Sequence, residues 1–278
     1  MTAACVKTDA WQARLELQYE QQAGKTVLAR RAHNGPLLVQ RPFYPENHVC
    51  HSYIIHPPGG VVGGDELQID IQVKADAHAL LTTPASGKFY NSHAHTAQMT
   101  QNLNVESAAI LEWLPQDNIF FEGSRSRLKT QVNLQDDARF IGWEISCLGR
   151  PLSGKLFTQG QCDQQIHLLR NGLPVLVEHG IFNAEHPILT SNWGLGGFSV
   201  SGTLLATTDD KTLVENLRSC FDHSSEFKLT VTVINDILVC RFLGSQGETA
   251  RKVFEQAWQL IRPVVTGNTA CSPRIWKT

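Results

Sequence analysis

In this chain of 278 residues, the side chains that could do chemistry are histidines and carboxylates set in mostly uncharged surroundings. His93-Ala94-His95 spaces two imidazoles by two residues, which would put both on one face of a strand. His48, Cys50 and His51 lie close together ahead of a glycine-rich loop. Either group has the ligand chemistry for zinc or nickel. No H-E-x-x-H and no further spaced ligand completes either set, and 11 histidines make such neighbours common, so surface or hydrogen-bonded imidazoles are the expected state. The carboxylates are more informative. Asp65, Glu112, Glu144 and Glu178 stand among apolar or glycine neighbours, and a carboxylate near a core must find a partner or a wet cavity. Asp136-Asp137 and Asp209-Asp210 read as turn and helix-start residues. Arg125, Arg127 and Lys129 alternate, so one strand face carries three cations: a solvated surface, or a contact for an acidic partner.

The glycine-rich loop is His56-Pro57-Pro58-Gly59-Gly60-Val61-Val62-Gly63-Gly64-Asp65. Its prolines stop regular structure, and its glycines allow positive φ or a backbone approach that a side chain would forbid. Clustered backbone N–H groups can cradle phosphate. Gly59 and Gly64 have Walker spacing, but Asp65 and Glu66 stand where Lys and Ser/Thr are required, and two carboxylates repel phosphate. Thr82 to Phe89 keeps a Gly-Lys pair yet lacks the first glycine and the hydroxyl. Asn192-Trp193-Gly194-Leu195-Gly196-Gly197 has Ser199 in place of the third glycine of a dinucleotide loop. Ser199-Val200-Ser201-Gly202 is not a nucleophile elbow. Nucleotide binding and nucleophilic catalysis are therefore not expected, and the residues alone read as a binding or scaffold protein.

The elements that must position these groups are mostly strands. Leu15, Leu17 and Tyr19 alternate with Glu16, Gln18 and Glu20. Leu67, Ile69, Ile71 and Val73 alternate with Glu66, Gln68, Asp70 and Gln72, and Ala97, Met99, Gln101, Leu103 and Val105 share one face. Further strands are expected at Leu128 to Leu134, Phe140 to Ile145 and Ile166 to Leu168. Short strands between Gly, Pro, Asn and Asp turns are the pattern of a sandwich, a barrel or a stacked β-coil, and no repeat of fixed length emerges. The spacing predicts a helix over Asp209 to Phe221, a hairpin turning at Asn235-Asp236, and a second helix that starts at the capping box Ser245-Gln246-Gly247-Glu248 and ends at Pro263. The expected layout is one domain, 1–278: a β body over about 11–208, an α-β-β-α segment over about 209–263, and a tail over 264–278.

The totals exclude several classes. A formal charge of −2 argues against a general nucleic-acid binder. Seven scattered cysteines without a C-x-x-C pair give neither a disulfide framework nor a zinc ribbon. The N-terminus lacks the apolar core of a signal peptide, and no run of about 18 apolar residues could span a membrane. A cytoplasmic protein is expected.

Several of these segments carry a resemblance. The loop His56 to Asp65 resembles the signature loop of the urease accessory proteins UreD, called UreH in some bacteria. Leu81-Thr82-Thr83-Pro84-Ala85 with Lys88 and Tyr90, Glu112-Trp113-Leu114-Pro115-Gln116-Asp117 with Phe120-Phe121, Leu148-Gly149-Arg150 with Gly154 and Phe157, and Pro273-Arg274-Ile275-Trp276 with Thr278 resemble further landmarks of that family, in order along the chain. Ser86-Gly87 ahead of Lys88 and Asn118 after Asp117 are small departures. The resemblance implies a mainly β fold, a superhelical, β-coil-like stack of short strands with two α-helices in the C-terminal segment. It also implies a non-enzymatic chaperone that binds apo-urease and, with the accessory proteins UreF and the GTPase UreG, assists nickel delivery into the urease active site. No tightly bound cofactor follows, only transient Ni²⁺, and neither nucleic acid nor membrane is an expected partner. A protein that passes nickel on must not trap it, and carboxylates exchange the ion more readily than thiolate or imidazole clusters. On that basis Asp65, Glu144 and Glu178 are expected to line an internal channel, Gly59, Gly60, Gly63 and Gly64 to shape its wall, and Arg125, Arg127 and Lys129, or the C-terminal helix, to meet a partner. The competing readings are a β-helical or β-sandwich carbohydrate-active enzyme using two separated carboxylates, and a structural adaptor that never touches nickel.

Overall fold

A computed structural model describes residues 10–92, 95–221 and 226–277. Alternating burial turns one face of the first sheet's strands Gln12–Gln22, Glu66–Val73 and Arg125–Leu134 inward. Strands Cys50–Ile55, His78–Thr82, Ile110–Trp113 and Arg139–Leu148 of the second sheet are instead buried on both faces, and the chain shuttles between the two sheets. The first sheet takes β1 (Gln12–Gln22) and β2 (Lys25–Asn34), and the second takes β3 (Leu38–Val39) and β4 (Cys50–Ile55). The chain then returns to the first sheet as β5 (Glu66–Val73), crosses as β6 (His78–Thr82) and β7 (Gly87–Phe89), returns as β8 (Ala97–Val105) and crosses as β9 (Ile110–Trp113) and β10 (Asn118–Phe120). It continues as β11 (Arg125–Leu134) in the first sheet, β12 (Arg139–Leu148) in the second, β13 (Gln161–Arg170) and β14 (Leu173–Asn183) in the first, and β15 (Val200–Ala206) in the second. Strands β5, β8, β11 and β13 pair in parallel, as do β4, β6, β9 and β12. The result is a solenoid-like stack of about four turns, mainly β, with two helices.

Helix α1 (Lys211–Phe221), strands β16 (Phe227–Ile234) and β17 (Ile237–Gly244) and helix α2 (Gly247–Thr266) complete the chain. The hairpin closes through Asn235 and Asp236, both at positive φ, and adds to the second sheet through β15. Asp210 caps α1 by accepting the Leu213 N–H at 2.7 Å, so the helix proper starts at Lys211 rather than Asp209.

The expected capping box of α2 does not form. Gln246 is the N-cap and makes no side-chain cap bond, which moves Ser245 outside the helix, and Glu248 pairs instead with Lys252 at 2.8 Å. Asp117 fills the gap in charge: a Cβ on Gly247 would lie 2.8 Å from Asp117 Oδ2, so a carboxylate from the β body sits against the positive end of α2. Nor does Pro263 end the helix. It lies inside α2, which runs on to Thr266 and stops at Gly267, φ 76°. The carbonyl that loses its donor belongs to exposed Gln259, where water can serve it.

Two cores result. One fills the space between the sheets, with Leu15, Leu17, Ile71, Leu103, Val132 and Leu168 among its members. The other lies between the second sheet and the helices, where Trp143, Ile145 and Leu204 meet Val253, Phe254 and Trp258. Strand β12 faces both and is buried along nearly its whole length. Among the described residues no helix is long and apolar enough to cross a membrane, and Cys50, Cys147, Cys162, Cys220, Cys240 and Cys271 are free thiols.

Candidate functional site

Strand register decides what meets in the interior. On the inner face of the first sheet, Ile71, Leu103, Val132, Leu168 and Leu176 stand in one row across neighbouring strands, and the row is wholly apolar. The next row is Ile69, Gln101, Thr130, Ile166 and Glu178, which brings three polar side chains inward. On the second sheet the matching row is Glu144, Thr203, Arg241 and Thr230. The two polar rows bond to each other across the sandwich. Thr130 Oγ1 donates to Glu144 Oε1 and lies 3.1 Å from Gln101 Oε1, while Thr203 Oγ1 donates to Glu178 Oε2 at 3.0 Å. Arg241 Nε donates to Glu178 Oε1 at 2.8 Å, and Nη2 bonds to the same oxygen.

Two cavities border this layer. One, of about 440 Å³, runs from the glycine-rich loop past Gln101 and Trp113 to Glu144. The other, of about 580 Å³, is bordered by Glu144, Glu178, His179, Thr203, Lys228 and Arg241. Glu144 is therefore a wall of both. It is 8% exposed, and its Oε2 has no hydrogen-bond partner, as is also true of the neighbouring Ser146 Oγ and Trp113 Nε1. An unpartnered oxygen beside a cavity is where water or a cation binds with least displacement. Burial pushes the Glu144 carboxyl up to about 7. The Thr130 hydrogen bond works against that shift, and the charge of Glu178 adds to it.

Asp65 is placed differently from Glu144 and Glu178. Its Oδ1 accepts the Trp11 N–H and its Oδ2 the Val62 N–H, both at 2.9 Å, so the carboxylate ties the glycine-rich loop to the start of β1. It is 5% exposed and does not border either cavity. The loop itself needs its glycines for space. A Cβ on Gly60 would overlap the Tyr90 ring, and one on Gly63 would overlap the Ser92 hydroxyl, while Gly59 and Gly64 hold positive φ. Gly59 and Gly60 border the smaller cavity, whereas Gly63 and Gly64 do not. Val61 exchanges backbone bonds with Lys88 and Tyr90 and so seats the loop on β7.

Several of the other candidates, His51, Cys50, Glu112 and Arg127, find structural partners. His51, fully buried, bonds through Nε2 to Glu46 at 2.7 Å, Cys50 Sγ lies 3.8 Å from the Tyr44 hydroxyl, and His48 is exposed. His95 is exposed, and His93 lies outside the described residues. Among the described residues no group of three His, Cys, Asp or Glu side chains could hold a metal ion. Glu112 bonds to His78, Trp258 and Arg262, and Arg262 in turn bonds to Glu46. Arg125 and Arg127 are exposed on β11 with Lys129 half-buried, but Arg127 pairs with Asp163 at 3.0 Å, which takes one charge out of the stripe.

Sequence reasoning passed over Thr130, Thr203 and Arg241. Of these, Arg241 carried a signal, since it interrupts the apolar run Leu238 to Phe242, as did Gln101 on its otherwise apolar strand face: a polar group where only carbon is expected.

The molecule is thus a two-sheet β solenoid whose interior carries carboxylates, one of them partly unsatisfied, and among its described residues no group of three His, Cys, Asp or Glu side chains could hold a metal ion. Its sequence matches the family described as UreD urease accessory protein over residues 12–277. It is 43% identical over 274 residues to the urease accessory protein UreD of Alcanivorax borkumensis, covering 96% of this chain and 92% of that one. To the UreD of Chromohalobacter salexigens it is 42% identical, covering 96% and 89%, and to that of Citrobacter koseri 39%, covering 98% and 93%. The chain belongs to the UreD family of urease accessory proteins.

Proposed function

We propose that this chain is a non-enzymatic maturation chaperone that binds apo-urease and, with UreF and the GTPase UreG, conveys Ni²⁺ toward the urease active site through its own interior. Nickel is cargo here. Family membership supports the setting, and one observation carries the route: the unpartnered, buried oxygen of Glu144 on the wall common to both cavities. Glu144 and Glu178 line the path, and Thr130, Gln101 and Thr203 orient them. Asp65 and the glycines fix the loop at one end. One isolated carboxylate oxygen holds a divalent ion weakly, which suits transit better than storage. The phosphate-binding half of the process lies with the GTPase, in keeping with Asp65 and Glu66 in the glycine-rich loop. Deleting the chain from a urease-positive cell should leave urease abundant, nickel-poor and inactive. Fully nickel-loaded urease in that strain would overturn the proposal.

A further inference from the structure

The two carboxylates that border the larger cavity are held in opposite ways. Glu144 presents an oxygen with no partner. Glu178 has both oxygens engaged, Oε1 by two nitrogens of Arg241 and Oε2 by Thr203. A guanidinium seated on a carboxylate and a divalent cation on the same carboxylate exclude each other, because they compete for the same lone pairs and repel. As the molecule stands, Glu178 is not available to a cation.

Register places Arg241 for this role. Thr203 separates it from Glu144 in one row of the second sheet, so their backbones are about 10 Å apart at the usual strand spacing. Both side chains are long enough to reach the gap between them, and Glu178 enters that gap from the opposite sheet. The Arg241 side chain is 42% exposed and Glu178 22%, so the pair lies at the wet end of the row. Among the described residues the Arg241 guanidinium bonds only to Glu178. It can swing toward solvent without opening either core.

We infer that Arg241 is the latch of the path: at rest it occupies Glu178, and a divalent cation gains the Glu144–Glu178 pair only while Arg241 is turned out. The inference rests on the transit reading above and names the residue that controls it. A latch of this kind lowers apparent affinity by the fraction of time it is open, and its return to Glu178 helps to expel the ion. Weak holding is then built in rather than left to a poor ligand set.

Titrating Ni²⁺ alone into the isolated full chain tests this. Arg241→Met should bind the ion about tenfold more tightly than the parent chain, and the gain should vanish in the Arg241→Met/Glu178→Gln double variant. Arg241→Lys, which keeps the charge but loses the fork, should fall between and serves if Arg241→Met does not fold. No tightening on removing the guanidinium, or a gain that survives loss of Glu178, would overturn the latch. The transit reading fails separately, if Glu144→Gln supports full urease activation.

Discussion

At the scale of single residues, Glu144 couples burial to protonation. Its carboxyl is pushed up to about 7 from 4.5, chiefly by burial, so between these values the folded chain holds a proton that the unfolded chain has released. Stability must therefore fall as pH rises from about 4.5 to about 7, by at most ~3 kcal/mol, and level off above. Denaturant unfolding at several pH values should show that decline in the parent chain and a flatter profile in Glu144→Gln. Glu46 and Glu112 work in the other direction and in another window. Despite their burial, their partners hold both carboxyls below the ordinary value, Glu46 at about 2, so their contribution is present above about 4.5 and is lost as pH falls. The two effects separate on the pH axis. A decline unchanged in Glu144→Gln would mean that another group carries it.

At the scale of elements, the question is what holds α2 to the β body. Arg262 is fully buried, and Glu112, also fully buried, meets its Nε with both oxygens at 3.0 Å. Trp258 Nε1 donates to the same carboxylate at 2.7 Å. The ring of Trp276, from the 3-10 turn Arg274–Lys277, packs on Trp143 and Trp258 while its Nε1 donates to Thr82 at 2.9 Å. The Glu112-Trp113 and Pro273-to-Trp276 landmarks are thus two sides of one clamp. Glu112→Ala leaves a buried guanidinium with half its counter-charge and should cost about 3–5 kcal/mol, with Glu112→Gln milder. Thermal unfolding reads the cost, and amide exchange in α2 should rise first. A loss near zero would show that packing alone seats the helix.

Legibility in the sequence followed burial geometry. Strands β1, β5, β8 and β11 show period-two alternation because only one face is buried, and they were readable. Strands β4, β6 and β12 are buried on both faces and show no alternation, so their extent was not. The solenoid had no fixed period to find, since the in-register residues Leu67, Met99, Leu128 and Gln164 are unevenly spaced along the chain. Glu144 and Glu178 were visible as carboxylates among apolar neighbours. Their juxtaposition was not, because it depends on two sheets meeting face to face. The capping box failed because Gln246, rather than Ser245, became the N-cap of α2.

For the whole molecule, the solenoid places polar rows beside apolar ones. The row from Ile71 to Leu176 seals the sandwich, while the row containing Gln101, Thr130 and Glu178 faces Glu144 and Arg241 beside it. This layer lies between two cavities that share Glu144, one bordered by the glycine-rich loop and the other by the Glu178–Arg241 ion pair. The most direct test is reconstituted activation of apo-urease with the parent chain or with Glu144→Gln, a change that keeps size and removes charge. The account predicts that Glu144→Gln still folds and assembles with its partners but yields urease with clearly less nickel and activity. Equal nickel loading and equal activity would contradict it.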